Sequence, residues 1–224
     1  MLVIGVILII AVVAAGVFIL LSSSAPAAQA TISDYDSVPQ SRLPDGGFVI
    51  GNPDAPITIV EYADYACPAC QQYLTVTNQV LDEFVKTGQA KFEYRIVPTA
   101  GGQLTYFLGQ IVVCMEDQKA GSFWKAKDIL FQWSMSGRYN ENTGRDLARE
   151  LGVSYEEALA CARTQTQVDT DVTLANRLGV TGTPAVMVRY GDGDPEWVTF
   201  NGQVLNRGGL PFNILAEVVR SANS

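Results

Sequence analysis

The chain has 224 residues, of which 15 are basic and 23 acidic, giving a formal net charge of −8, and it contains no histidine. An acidic chain without clusters of Lys and Arg argues against nucleic-acid binding as the main role. The absence of histidine excludes Ser-His-Asp and Cys-His hydrolases and removes the commonest protein ligand of zinc, copper and iron. Since, in addition, no glycine-rich phosphate loop precedes a predicted helix and no clustered carboxylates suggest a calcium site, we expect neither a metal ion nor a bound cofactor.

The chain begins with an apolar run, residues 2–21, that contains no charged side chain. About 20 helical residues span roughly the 30 Å of a bilayer core, whereas the apolar core of a cleavable signal is about 7–15 residues long. We therefore favour a transmembrane anchor at 1–21, with a long signal peptide cut after Ala30 as the alternative. The first places the rest of the chain at the extracytoplasmic face of the cell membrane, and the second releases it as a secreted or periplasmic protein.

Residues 22–46 are rich in Ser, Ala, Pro and Gln and lack helical or strand periodicity, which predicts a flexible linker. The remainder, 47–224, is long enough for one domain with a substantial core. Its first part, 47–102, alternates strands with a helix. The predicted strands lie at 48–51, 57–62 and 91–97. The predicted helix covers 68–87, because Pro68 stands in its first turn and Gly88 follows its end.

From 103 to 179 the apolar periodicity is helical throughout. A block of this length exceeds a simple connection and must form a subdomain with its own packing. The last part, 180–224, predicts strands at 184–190 and 197–200 and a closing helix at 210–221. The order of elements predicts an α/β fold in which a βαβ unit and a ββα unit share a central sheet.

The motif Cys67-Pro68-Ala69-Cys70 places two thiols at the start of the predicted helix. The positive end of a helix dipole stabilises a thiolate, so a dithiol there can cycle between thiols and a disulfide. The alternatives are a zinc site and a purely structural disulfide. Structural zinc sites usually combine two closely spaced pairs, and Cys114 and Cys161 are too far apart in sequence to form the second pair.

Two segments resemble the DsbA-like thiol-disulfide oxidoreductases of the thioredoxin superfamily, the DsbA and BdbD type. One is GNPDAPITIVEYADYACPACQQY at 51–73, which is similar to the start of the family's thioredoxin fold. The other is LGVTGTPAVMV at 178–188, which is similar to the family's cis-proline loop beside the dithiol. The resemblance implies a thioredoxin fold, with a central mixed sheet flanked by helices, and an inserted all-helical subdomain at 103–179. A purely structural disulfide does not account for the second segment.

Carried over position by position, the resemblance implies that Cys67 is the exposed nucleophile and Cys70 its buried partner. It also implies a cis bond at Thr183-Pro184, where the backbone before the proline can pair with an extended client peptide. Glu61 stands where DsbA proteins have an acidic residue near the buried cysteine. A carboxylate there can exchange protons with Cys70; the alternative is an ion-paired residue at a strand edge.

Ala69 departs from the best-known DsbA, which has a histidine between its two cysteines. That histidine helps to stabilise the thiolate, so here the helix terminus must supply most of the stabilisation. We therefore predict a Cys67 pKa below the free-thiol value of about 8.5, but less depressed than in the histidine-containing protein.

The other two cysteines, Cys114 and Cys161, lie in the helical block among apolar neighbours. They form either a structural disulfide or two reduced buried thiols, and export favours the disulfide. On the chain-entropy account, such a bridge stabilises the subdomain by about 4 kcal/mol.

These observations predict a thiol-disulfide oxidoreductase that introduces disulfides into exported proteins through the Cys67-Cys70 couple. Its partners would be unfolded or reduced exported clients and, as the resemblance implies, a quinone-linked membrane reoxidase of the DsbB or VKOR type. The alternatives are a reductase or isomerase with the same dithiol, and a non-catalytic thioredoxin-like module that binds extended peptides.

Overall fold

A computed structural model describes residues 34–224 of the protein. The predicted anchor at 1–21 and the linker residues 22–33 lie outside the described residues. Within 34–224, no helix is both long and apolar enough to cross a membrane.

A five-stranded sheet forms the centre of the fold, with strands β1 Gln40–Arg42, β2 Phe48–Gly51, β3 Ile57–Ala63, β4 Lys91–Ile96 and β5 Ala185–Tyr190. Their order across the sheet is β1-β2-β4-β3-β5. Strands β3 and β4 run parallel, and the other neighbouring strands are antiparallel. All seven residues of β3 are buried, as expected for an apolar, β-branched strand between two others.

Seven helices surround the sheet in the described part of the chain. They are α1 Pro68–Val80, α2 Gly102–Gln118, α3 Ser122–Met135, α4 Thr143–Leu151, α5 Tyr155–Ala162, α6 Gln167–Arg177 and α7 Phe212–Ala222. Helices α2 to α6 lie between β4 and β5 in the chain and form the helical insertion. Helix α7 packs against α1.

Helix α1 begins at Pro68, as its sequence predicts, but its regular part is shorter than the predicted 68–87. The chain continues from Val80 into a π-helical turn at Leu81–Val85. The backbone then turns at Gly88, whose φ of +79° suits a residue without a Cβ. The apolar periodicity marks the buried face of the whole segment, but it does not distinguish α-helical from π-helical hydrogen bonding.

The helical insertion is closed by a disulfide between Cys114 of α2 and Cys161 of α5, with an S–S distance of 1.97 Å. Helix α2 also packs against α3, α4 and α6. The insertion joins the sheet through aromatic packing, because the rings of Phe123 and Phe48 stack with their centroids 3.6 Å apart. The insertion and the sheet therefore share one core.

Part of the predicted linker is folded. Tyr35 is 1% exposed, and its hydroxyl donates to Asp128 Oδ2 at 2.8 Å. Residues 40–42 pair with β2 as an edge strand. The assignment of 22–46 to a flexible linker is therefore wrong for 35–46, because a few apolar anchors in a polar, proline-containing stretch are enough to dock it.

The predicted strand at 197–200 does not extend the central sheet. After β5 the chain makes one isolated bridge between Val188 and Glu196. It then forms a small separate hairpin of β6, Thr199–Phe200, and β7, Gln203–Val204. The predicted ββα unit is thus replaced by one sheet strand, a short hairpin and α7.

Candidate active site

The two cysteines of the motif lie at the N-terminus of α1. Cys67 is the N-cap residue with an extended backbone, and Pro68 follows in the first turn, where its missing N–H costs no helical hydrogen bond. Both thiols are free of disulfides. Cys67 keeps 8% of its surface exposed, while Cys70 has none. The more accessible sulfur is therefore the one nearest the positive end of the helix.

Cys67 contacts the loop that precedes β5. Its Sγ lies 3.3 Å from the carbonyl oxygen of Thr183, to which the thiol donates. The Thr183-Pro184 peptide bond is cis. Two segments separated by more than one hundred residues in sequence, 67–70 and 183–184, thus form one surface.

The surroundings of Cys67 favour its ionised form. Burial raises the pKa of the Cys67 thiol, but hydrogen bonding by the Thr183 side chain and by Cys70 and Ala69 outweighs burial, so the pKa lies below its ordinary value. The direction agrees with stabilisation of a thiolate by amides at a helix N-terminus. The motif supplies this stabilisation without a histidine at position 69.

Cys70 has the opposite shift. Burial raises the pKa of the Cys70 thiol well above its ordinary value, and the charge of Glu61 adds to the rise. Cys70 therefore stays protonated at neutral pH when the dithiol is reduced. The two sulfurs are thus differentiated, one favouring the thiolate and the other the thiol.

Glu61 lies on β3 beneath this dithiol and is 1% exposed. Its Oε2 accepts a hydrogen bond from Thr77 Oγ1 at 2.7 Å, while its Oε1 has no partner among the described residues. Burial raises the pKa of Glu61 to about 7, although the Thr77 hydrogen bond and the charge of Lys127 oppose the rise. Glu61 is therefore not an ion-paired residue at a strand edge. It is a buried carboxyl that titrates near neutrality.

Lys127 is a buried cation near the site that no local sequence pattern indicates. Its side chain is fully buried, and its Nζ lies 2.6 Å from Asp128 Oδ1. Its position on α3 brings a positive charge from the helical insertion towards Glu61, where it lowers the pKa of that carboxyl. The local sequence predicts only a helical lysine, which is ordinarily exposed.

Asp64 was also missed, although it stands only three residues before Cys67. It is fully buried, and its carboxylate accepts hydrogen bonds from side chains and amides of three segments. The donors are Ala66 N at 2.8 Å, Thr99 N at 2.6 Å, Gly101 N at 2.8 Å and Thr105 Oγ1 at 2.6 Å. Asp64 therefore ties the loop before α1 to the loop after β4.

Thr99 carries this connection to the cis-proline loop. Its Oγ1 lies 2.6 Å from Thr183 Oγ1 and 3.3 Å from Asp64 Oδ2. A chain of hydrogen bonds thus runs from Asp64 through Thr99 to Thr183, whose carbonyl contacts Cys67. The sequence shows only an aspartate that directly follows a strand, because three of its partners, Thr99, Gly101 and Thr105, lie more than thirty residues away.

The described residues hold no group of three or more His, Cys, Asp or Glu side chains arranged to bind a metal ion. The disulfide between Cys114 and Cys161 occupies the two thiols that a four-cysteine zinc site would require. The free thiols of Cys67 and Cys70 therefore remain the chemical centre of the described chain.

A dithiol at a helix N-terminus, a facing cis-proline and a helical insertion in the sheet together define a DsbA-like thioredoxin-fold protein. A family model described as thioredoxin matches residues 44–192, and the chain belongs to this family. Within it, the fold is that of the DsbA-like thiol-disulfide oxidoreductases, which confirms the predicted fold class and the predicted resemblance.

Similar proteins include two curated relatives. Na(+)/H(+) antiporter NhaA 1 of Salinispora arenicola is 30% identical over 152 residues, which cover 65% of this chain and 22% of that protein. Disulfide bond formation protein D of Bacillus subtilis is 27% identical over 150 residues, covering 62% of this chain and 66% of the relative. The chain thus matches about a fifth of the antiporter and just under two thirds of the Bacillus protein.

The fold is also found in the crystal structure of Wolbachia pipientis alpha-DsbA1. The two superpose with a TM-score of 0.61 at 21% sequence identity, over 80% of this chain and 92% of that one. At this level of identity, the likeness concerns the fold.

Proposed function

We propose that the protein is an extracytoplasmic thiol oxidase that introduces disulfides into exported proteins through Cys67 and Cys70. The observation that carries this proposal is the position of Cys67 at the N-terminus of α1, where hydrogen bonding by Ala69 and Cys70 lowers the pKa of its thiol. A stabilised Cys67 thiolate lowers the free energy of the reduced dithiol, and a stabilised reduced form makes the disulfide a stronger oxidant. The proposed roles of Pro184, Thr183 and Glu61 follow from their places around this dithiol.

The reaction has two exchange steps. A client thiolate attacks Cys67 Sγ of the Cys67–Cys70 disulfide, forming a mixed disulfide and releasing Cys70 as a thiolate. A second client thiolate then attacks the client sulfur of that mixed disulfide, and Cys67 leaves as a thiolate. The client loses two electrons, and the Cys67–Cys70 disulfide gains them and becomes the dithiol.

We propose that Glu61 donates a proton to the Cys70 thiolate that the first exchange step releases. The departing Cys70 thiolate is fully buried and needs a proton, because burial holds its pKa far above neutrality. Glu61 lies within electrostatic reach of Cys70, and its own pKa of about 7 allows it to give or take a proton at physiological pH. When the dithiol is oxidised again, Glu61 accepts the proton that Cys70 releases.

The location and partners of the protein are further parts of the proposal. Residues 2–21 are long and apolar enough for an anchor, and the Cys114–Cys161 bridge is typical of a compartment where disulfides persist. Residues 47–102 and 180–224 would carry the dithiol and the cis-proline loop, with the insertion at 103–179 covering one side. Turnover requires an oxidant, which we assign to a quinone-linked membrane reoxidase of the DsbB or VKOR type.

The test is the reduction potential of Cys67–Cys70 in the full-length chain, measured by equilibration with glutathione. We expect a value clearly less negative than the roughly −270 mV of thioredoxin and approaching the roughly −120 mV of DsbA. The oxidised protein should also restore activity to reduced, unfolded ribonuclease, and C67S should abolish this. A potential near that of thioredoxin would favour the reductase instead. Peptide binding that survives in C67S, without any thiol exchange by the wild type, would favour the binding module.

A further inference from the structure

A cavity of about 420 Å³ lies beside the cis-proline loop. The loop itself, with Thr183 and Pro184, forms one wall, and Trp197, Arg207 and Gly208 contribute to the other. The Thr183 carbonyl that belongs to this wall is 3.3 Å from Cys67 Sγ. Thr183 therefore both lines the cavity and contacts the Cys67 sulfur.

Arg207 is the one charged residue among those that line the cavity. Its side chain is exposed, and among residues 34–224 it takes part in no ion pair. Other arginines in the same part of the fold are engaged. Arg177 binds Asp194 through two hydrogen bonds of 2.8 and 3.0 Å, and Arg189 binds Glu93. Arg207 thus offers a planar guanidinium with five donors to a ligand.

The loop that carries Arg207 is held at both ends. Leu205 N donates to Val198 O at 2.8 Å, and the hydroxyl of Tyr73 on α1 donates to Leu210 O at 2.8 Å. Gly209 lies so close to the Tyr73 ring that an added Cβ would clash with the ring. The backbone on both sides of Arg207 is therefore anchored, and on one side it is anchored to the active-site helix.

The aromatic wall of the cavity is also fixed, because Trp197 Nε1 donates to Leu178 O at 3.0 Å. A half-buried indole beside a free guanidinium suits a side chain with a short apolar stem and a carboxylate end. Since the protein carries a net charge of −8, an acidic client is repelled by the molecule as a whole. The positive charge of Arg207 offsets this repulsion close to the place where the client thiol reacts with Cys67.

We propose that this cavity is a client subsite in which Arg207 binds the carboxylate of an Asp or Glu next to the reacting cysteine. The proposal rests on the proposed function, because the subsite selects among thiols that Cys67–Cys70 oxidises. Its consequence is a preference for acidic sequences around the client cysteine.

The experiment compares three peptides that contain a single cysteine flanked on both sides by Asp, Asn or Lys. The oxidised full-length chain oxidises each peptide, and the rate is divided by the rate of the same peptide with 2-hydroxyethyl disulfide. This uncharged oxidant corrects for the intrinsic reactivity of each thiol. We expect the Asp peptide to react about three- to fivefold faster than the Lys peptide, as for a partly exposed ion pair. The preference should fall in high salt.

In R207E the order of the Asp and Lys peptides should reverse, whereas R207K should keep the order. R163E is the matched control, because it makes the same charge change on the helical insertion at an exposed residue that does not line the cavity. It should keep the wild-type ratio. Equal corrected rates for Asp and Lys peptides, or an unchanged ratio in R207E, would overturn the subsite while leaving the oxidase intact. If the wild type oxidises none of the peptides, the oxidase proposal fails and the subsite fails with it.

Discussion

At the scale of single residues, Thr99 connects the buried Asp64 carboxylate to the loop facing Cys67. Its backbone N–H and its hydroxyl both donate to Asp64 Oδ2, and its hydroxyl also meets Thr183 Oγ1 at 2.6 Å. Thr183 in turn helps to lower the pKa of Cys67. Thr99 therefore acts as a positioning residue, which orients Thr183 without touching the reacting sulfur.

The T99V substitution removes the Thr99 hydroxyl at nearly constant volume. We expect the pKa of Cys67 to rise towards its ordinary value, because Thr183 loses the bond that holds its side chain in place. The measurement is the pH dependence of the ultraviolet thiolate absorbance in the reduced protein. T99S keeps the hydroxyl and should restore the wild-type titration. If T99V and T99S titrate alike, the hydroxyl has no positioning role.

Glu61 makes the stability of the reduced protein depend on pH. Its pKa is 4.5 in the reference state and about 7 in the fold, so the native state retains a proton that the unfolded chain releases between these values. Stability must therefore fall as the pH rises through this window. A shift of this size corresponds to about 3 kcal/mol.

The E61Q variant should remove this part of the pH dependence. The difference in unfolding free energy between E61Q and wild type should increase by about 2.5 kcal/mol in favour of E61Q from about pH 5 to about pH 8. Denaturant unfolding of both reduced proteins measures the difference. E141Q, at an exposed glutamate of the insertion, should follow the wild-type curve. If the unfolding free energies of E61Q and wild type had the same pH dependence, Glu61 would not keep its proton up to neutral pH in the fold.

The local sequence indicates that some of these residues belong to the site, but not all of them. Cys67, Cys70 and Glu61 lie within ten positions of one another, so one strand–turn–helix segment brings them together. Lys127 and Thr99 join the site only through tertiary contacts. Their burial depends on how the helical insertion and the loop after β4 pack, and short-range periodicity does not encode such packing.

At the scale of elements, the disulfide joins α2 to α5 and closes a segment of 47 residues. C114A/C161A removes this closure, and we expect a loss of about 4 kcal/mol of unfolding free energy on the chain-entropy account. The reduction potential of Cys67–Cys70 should remain at its wild-type value, because the bridge lies within the insertion. Denaturant unfolding and glutathione equilibration measure the two quantities. A loss near zero would show that the bridge does not constrain the unfolded chain.

The elements that the sequence predicts best are those with strong local signals. Pro68 marks the start of α1, and the largely β-branched segment at 57–62, which alternates little, predicts the buried strand β3. The edge strand β1 was missed because three polar residues, Gln40–Arg42, form it by pairing with β2. The short hairpin after β5 was misplaced because an apolar, aromatic segment indicates a strand but does not say which neighbour it pairs with.

At the scale of the whole molecule, a buried cluster of charges joins three parts of the chain. Arg95 of β4 binds Glu93 of the same strand at 2.6 Å, Asp171 of α6 at 3.0 Å and Asp45 at 2.9 Å. Removing one partner would leave a buried charge uncompensated. The cluster therefore stabilises the packing of the insertion and of Asp45 against the sheet. We therefore expect the segment around Asp45, the sheet and the insertion to unfold as one unit.

This cooperativity connects the redox state of the dithiol to the stability of the whole fold. The Cys67 thiolate is stabilised by the start of α1 and by Thr183 only when the protein is folded. By thermodynamic linkage, a dithiol that is more oxidising in the fold than in the unfolded chain makes the reduced fold the more stable one. The advantage grows as the pH rises through the folded pKa of Cys67 and is lost as the pH falls through it, because the folded pKa is the lower one.

We therefore expect reduced protein to unfold at higher denaturant concentration than oxidised protein at a pH above the folded pKa of Cys67, which the thiolate absorbance locates. A stability difference of about 1.4 kcal/mol between the reduced and oxidised proteins corresponds to about 30 mV between the potentials of the folded and unfolded couples. The unfolding curves and the two measured potentials must therefore agree. Mass spectrometry should verify that Cys114–Cys161 is intact in both samples. C67A/C70A should unfold identically under the two conditions, since it has no dithiol to oxidise. Greater stability of the oxidised form would mean that folding favours the disulfide, and Cys67–Cys70 would then act as a reductant of its clients.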